Sequence, residues 1–192
     1  MPDLSPRQKD VALLAGGGAA LGAVLWVLLG GGPRAAAARA AKSQIGRSDA
    51  SLYWKDVLPA GYPPSSYPKD WCGGFVLWAL HQAGLGEEIL WQVGSGFLSR
   101  LPITATPQIG DIAYFTNNQH HAMVVDVTAD GRLVDLVNGN GTAGKVSPST
   151  VHVSQVAAFY SIQGLVDAAG HPSLWLLGGA AVAGAAAWRW IR

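Results

Sequence analysis

The chain has 192 residues, 13 basic against 12 acidic, and a formal net charge of +1. Hydrophobic residues make up 49% and charged residues 13%, with a mean hydropathy of +0.22. Such a chain buries a core and is not disordered, and its balanced charge gives no long-range attraction to nucleic acid. Its single cysteine, Cys72, excludes an intramolecular disulfide and a multi-cysteine zinc site.

A short polar tail, residues 1–10, precedes 23 residues, 11–33, without a charge. Roughly 20 apolar residues cross a bilayer core, so 11–33 reads as a transmembrane helix or signal anchor. The rival reading is a cleaved signal peptide, with Arg7 and Lys9 as its basic start and the alanines at 36–38 or 38–40 as its cleavage site. The run exceeds the usual apolar stretch of such peptides, which favours an uncleaved anchor. A second apolar stretch, 173–188, is short for a span; extended past Arg189, which would snorkel, it supplies another expected transmembrane helix at 173–191, with Trp175, Trp188 and Trp190 near its ends. Gly18 and Gly22, and Ala180 and Gly184, are spaced for close helix packing in lipid. The basic residues flank both segments and do not fix orientation.

Between them, residues 34–167 carry 9 basic and 10 acidic residues and read as one soluble domain. An Ala-rich helix is expected at 35–45, stopped by Gly46. An irregular stretch with Pro59, Pro63, Pro64 and Pro68 follows, over 47–69. A buried helix then runs over 72–83, with Asp70 as its N-cap and Gly84 as its stop. Strands are expected at 111–115, 122–128, 133–138 and 151–162, separated by Asn117-Asn118, Asp130-Gly131 and the Gly-rich 139–144. Helices first and then an antiparallel sheet make an α+β domain.

The chemistry converges on Cys72. In the first turn of its helix the free N–H groups and the helix dipole favour a thiolate and supply an oxyanion site. Gly73 and Gly74 leave room beside the sulfur. A thiol nucleophile needs a base, and His121, at the start of HAMVVDV, is the candidate. A third polar group orients the imidazole. The turn at Asp130-Gly131 returns Asn138 toward His121, with Asn140 as the alternative. Taken singly, a helical cysteine is commonly inert core and an Asn in a Gly-rich turn is commonly turn chemistry; the combination and its order point to a site.

The runs DWCGGFVLWALHQAGL, PQIGDIAYF, HHAMVVDV and VNGN resemble, in that order, the CHAP and NlpC-type papain-like hydrolases, above all phage and prophage cell-wall hydrolases. The resemblance spans about 40–162. It implies a papain-like fold in which Cys72 attacks an amide of the peptidoglycan stem peptide. His121, not His120, is then the base. Asn138, where many relatives carry Glu, takes the third position with Asn140 beside it. The resemblance also implies an open groove, for which Trp54, Tyr67, Trp71 and Trp91 are candidates, and no metal or other cofactor. The backbone N–H of Cys72 is the expected oxyanion donor, with Trp71 a second candidate. Cysteine before histidine is the order of wall hydrolases; permuted lipid-acyl relatives have histidine first.

The expected protein is thus a membrane-anchored N-acetylmuramoyl-L-alanine amidase or stem-peptide endopeptidase. Its partners are peptidoglycan and membrane lipid, and its catalytic domain lies on the periplasmic or wall side or in a virion. It would serve phage lysis, opening of the wall during infection, or wall remodelling. Two other classes are a catalytically idle module held in a membrane and a cytoplasmic thiol peptidase. The sequence does not fix an oligomeric state.

Overall fold

The computed structural model describes residues 31–91 and 96–170. Both expected membrane segments lie outside these residues, apart from 31–33. Gly32 and Pro33 already belong to the first helix described, α1 (Gly32–Lys42). Among the described residues no helix is long and apolar enough to cross a membrane.

Helix α1 starts after Gly31, whose φ of 79° lies in the left-handed region open to glycine. It buries Ala36, Ala37, Ala38 and Ala41 on one stripe and ends on Arg39 and Lys42, which suit the negative end of the helix dipole. Within the stretch expected to be irregular, the chain forms a further helix, α2 (Ala50–Val57). Asp49 caps it, accepting from the Ser51 N–H, and Tyr53, Trp54 and Val57 are buried. The four prolines that argue against a helix all lie beyond its end. Helix α3 (Cys72–His81) buries every residue from Cys72 to Leu80. Its N-cap is Trp71, with no side-chain cap hydrogen bond, and not Asp70. Gly84, at φ 69°, ends the turn that follows it.

Six strands form one antiparallel sheet in the order β1-β6-β2-β3-β4-β5. They are β1 (Ile103–Thr104), β2 (Ile112–Phe115), β3 (His120–Val127), β4 (Leu133–Asn138), β5 (Ser147–His152) and β6 (Ala158–Tyr160). The single strand expected at 151–162 is therefore two, split by a short 3-10 turn at Val153–Gln155. Strand β3 starts two residues earlier than expected. A last helix, α4 (Gln163–Gly170), follows the sheet.

The faces of the sheet follow from the alternation of side chains along each strand. Ile112, Met123, Val125 and Val137 join the core formed with α1, α2 and α3. Ala113, Ala122, Val124, Val134, Leu136 and Phe159 form a second cluster, packed by Val151, Val153 and Val156. Tyr114 stands opposite His121, and Ala122 opposite Asn138.

Arg34 fastens the ends of the domain together. Its guanidinium donates to Asp111 Oδ1 at 2.7 Å, to Ser161 Oγ at 3.3 Å and to Gln163 Oε1 at 3.2 Å. Asp111, 1% exposed, also accepts from the backbone N–H groups of Gln108 and Ile162. The buried carboxylate is thus fully bonded, as burial of a charge requires.

Candidate active site

Helix α3 presents Cys72 in its first turn, and β3 presents His121 on the sheet face turned to that helix. The Sγ and His121 Nδ1 are 3.6 Å apart. Both are nearly enclosed, at 8% and 1% exposure. They lie on an open cavity of about 610 Å³, also lined by Lys69, Asp70, Trp91, Gln119, His120 and Asn140. Gln119 takes a left-handed φ of 49°, and its carbonyl lies 4.0 Å from Sγ.

Burial sets the charge state of the pair. It raises the Cys72 thiol above its ordinary value, against weaker help to the thiolate from the backbone N–H groups of His121 and Gly73. Asp70 adds to the rise by charge repulsion. Burial, with a smaller contribution from His120, lowers His121 to about 4. Both displacements favour neutral thiol facing neutral imidazole over a thiolate–imidazolium pair. With the proton on Nε2, the Nδ1 lone pair faces Sγ.

Asn138 is not beside His121. Its Oδ1 accepts from His120 Nε2 at 3.0 Å, and its Nδ2 donates to Ser147 O and Ser149 Oγ. A β-bulge between Val124 and Asp126 is the reason. One extra residue in a strand moves every later side chain to the other face. Without it, Asn138 would stand opposite Met123, on the face of His121. With it, Asn138 pairs with Ala122 and shares the face of His120. His121 Nε2 is buried with no hydrogen-bond partner among the described residues. Asn140, at φ 51°, lines the cavity and sends Nδ2 toward Lys69 O at 3.5 Å.

The aromatic candidates separate in the same way. Trp91 lines the cavity, whereas Trp54 is fully buried and donates from Nε1 to Pro68 O. Tyr67 stacks on Tyr62 and does not line the cavity. Trp71 is buried against Tyr53 and Phe75, so its indole is packed in the core and not aimed at an oxyanion. Gly73 and Gly74 do not leave space beside the sulfur. A Cβ on Gly73 would collide with the Trp91 ring, and one on Gly74 with Trp54. The glycines admit indole rings against the helix. Two further neighbours of His121 are not singled out by the sequence: Phe97 and Tyr114, whose rings lie 5.4 Å and 5.2 Å from its own. The pairing of β2 with β3 marks Tyr114; Phe97 comes from a distant 3-10 turn that no local pattern signals. Among the described residues no cluster of His, Cys, Asp and Glu is placed to hold a metal ion.

A cysteine at a helix start facing a histidine on an antiparallel sheet is the arrangement of papain-like thiol hydrolases. Residues 62–140 match the family model of the CHAP domain, which bears out the resemblance read from the sequence. The match takes in Cys72, His121, Asn138 and Asn140. CHAP domains are typically cysteine-dependent peptidoglycan hydrolases. Neither the curated proteins nor the solved structures give a match.

Proposed function

We propose that the chain hydrolyses an amide bond of the peptidoglycan stem peptide, as an N-acetylmuramoyl-L-alanine amidase or an endopeptidase, with Cys72 as nucleophile and His121 as base and acid. The observation that carries this reading is the 3.6 Å approach of Sγ to Nδ1 on an open cavity, within a segment matching the CHAP model.

The neutral pair defines the steps. As Sγ attacks the carbonyl carbon, its proton passes to His121 Nδ1. The oxyanion meets N–H groups at the start of α3, the Cys72 N–H among them. Collapse breaks the C–N bond, and His121 returns the proton to the departing amine. Water then attacks the thioester, giving one proton to His121, and the thiolate leaves and is reprotonated from it.

Membrane anchoring through 11–33 and 173–191 belongs to the same proposal. Its support is the length and apolarity of the first segment and the apolarity of 173–188 in the second. Arg34, next to the first segment, is bonded to Gln163, the first residue of α4. A catalytic domain held this way on the wall side reaches peptidoglycan near the membrane, whether in lysis, infection or remodelling.

Mass spectrometry of fragments released from purified sacculi names the bond. A free lactyl carboxylate with an intact stem peptide marks an amidase, and a shortened stem marks an endopeptidase. Protease access to the exposed segment 59–66 in spheroplasts tests the side of the membrane, and protection there would refute the wall-side placement.

A further inference from the structure

Among the described residues, His121 has no hydrogen-bonding partner to orient its imidazole, as a thiol hydrolase ordinarily provides. Asn138 is turned to the other face of the sheet, and His121 Nε2 is buried and unbonded. The imidazole is instead enclosed by rings. The centroid of Tyr114 lies 5.2 Å from it, that of Phe97 5.4 Å and that of Trp91 6.2 Å. These come from three separate elements: β2, the 3-10 turn Gly96–Arg100, and the loop after α3. Trp91 and Phe97 touch each other at 5.6 Å, and Trp91 is wedged over Gly73, next to the nucleophile.

We propose that Trp91, Phe97 and Tyr114 are the positioning residues of His121, fixing by packing the orientation that a carboxylate or carboxamide fixes elsewhere by hydrogen bonding. The inference rests on the reading of His121 as the base of Cys72. Rings at these separations hold a planar side chain in one rotamer and exclude water from it. They offer a buried N–H only weak aromatic acceptors. The cage therefore orients His121 and keeps it neutral together. The titratable groups facing His121 are Cys72 from α3 and Tyr114 from β2, with His120 adjacent in β3; no carboxylate bonds to it. Asn138 holds His120 and β5 in place and has no part in the cage.

Two measurements on the full-length chain in mild detergent read the cage without any wall substrate. One is the NMR titration of His121; the other is the rate of Cys72 alkylation by iodoacetamide against pH. In Trp91→Ala water reaches the imidazole. Its titration then moves up toward the ordinary histidine value of about 6.5, and alkylation at neutral pH changes at least fivefold. Trp91→Phe keeps a ring and restores both readings most of the way. Asn138→Ala, which loses three hydrogen bonds, melts lower but leaves the His121 titration within a few tenths of a pH unit of wild type. Tyr114→Ala, which opens the cage from β2, repeats the Trp91→Ala result. An unmoved titration in Trp91→Ala, or a large shift in Asn138→Ala alone, overturns the proposal. Sacculi left intact by a wild-type chain that shows the expected titrations would overturn the substrate reading and leave the cage standing.

Discussion

Gly73→Ala tests the contact between helix and site at its tightest point. On an open helix the change stabilises by about 1 kcal/mol, because glycine spends more backbone entropy than alanine. Here the new Cβ falls within the Trp91 ring and 3.3 Å from His121 Nδ1. Overpacking of this kind costs about 1–3 kcal/mol. Trp91 cannot retreat freely, since Trp54 and Phe97 pack against it. The net expectation is a loss of up to about 2 kcal/mol, or a melting point lower by up to about 8 °C. Activity suffers more. The ring carries His121 with it, and a displacement of about 1 Å at reacting atoms costs on the order of 100-fold. Thermal melts followed by circular dichroism, beside the rate of fragment release from sacculi, separate the two effects. Gly74→Ala, which presses on Trp54 at 2.5 to 2.8 Å, should lose comparable stability and much less activity. A Gly73→Ala chain that melts at or above wild type and keeps full activity would refute the packing argument.

Stability should fall in acid, because His121 is held neutral in the fold. Its value drops from 6.5 to about 4, so the folded chain binds fewer protons than the unfolded one between those limits. The stability present above 6.5 is lost as pH falls to about 4, by about 3 kcal/mol, and His121→Gln should flatten that slope in urea titrations. His120, lowered by its own burial, contributes in the same direction. At the alkaline end the raised Cys72 thiol acts oppositely: its contribution is lost as pH climbs above the ordinary thiol value, and Cys72→Ala should remove that limb. Arg34→Ala strands the buried Asp111 carboxylate and should cost about 3–5 kcal/mol in urea unfolding, partly recovered by Asp111→Asn. A loss below about 1 kcal/mol would remove Arg34 as the fastening of the domain. His121→Ala should reduce hydrolysis to the level of Cys72→Ala, whereas His120→Ala should cost far less, because His120 bonds Asn138 and not the thiol.

Much of the fold is legible in the sequence because its signals are local. The apolar run from Cys72 to Leu80, closed by Gly84, marks a buried helix, and the apolar strands flanking Asp130-Gly131 mark a hairpin. Those two elements are enough to bring Cys72 and His121 together. The third position is not legible, because hairpin register depends on a bulge that composition does not announce. A single extra residue near Val124 decides whether Asn138 faces His121 or His120. Helix α2 is hidden by the prolines that follow it, although Asp49 and the spacing of Tyr53, Trp54 and Val57 carry its signature. The aromatic cage depends on contacts between residues far apart in the chain. Of its members the sequence marks only Trp91, and as a groove wall.

The central claim is that Cys72 cleaves peptidoglycan amide bonds with His121 as its base. Its most direct test is the release of soluble fragments from purified sacculi by the wild-type chain and by Cys72→Ala, each shown to be folded by circular dichroism. The account predicts fragments with newly freed amino groups from the wild type and none from Cys72→Ala. Equal release from both, or none from a folded wild type, would contradict it.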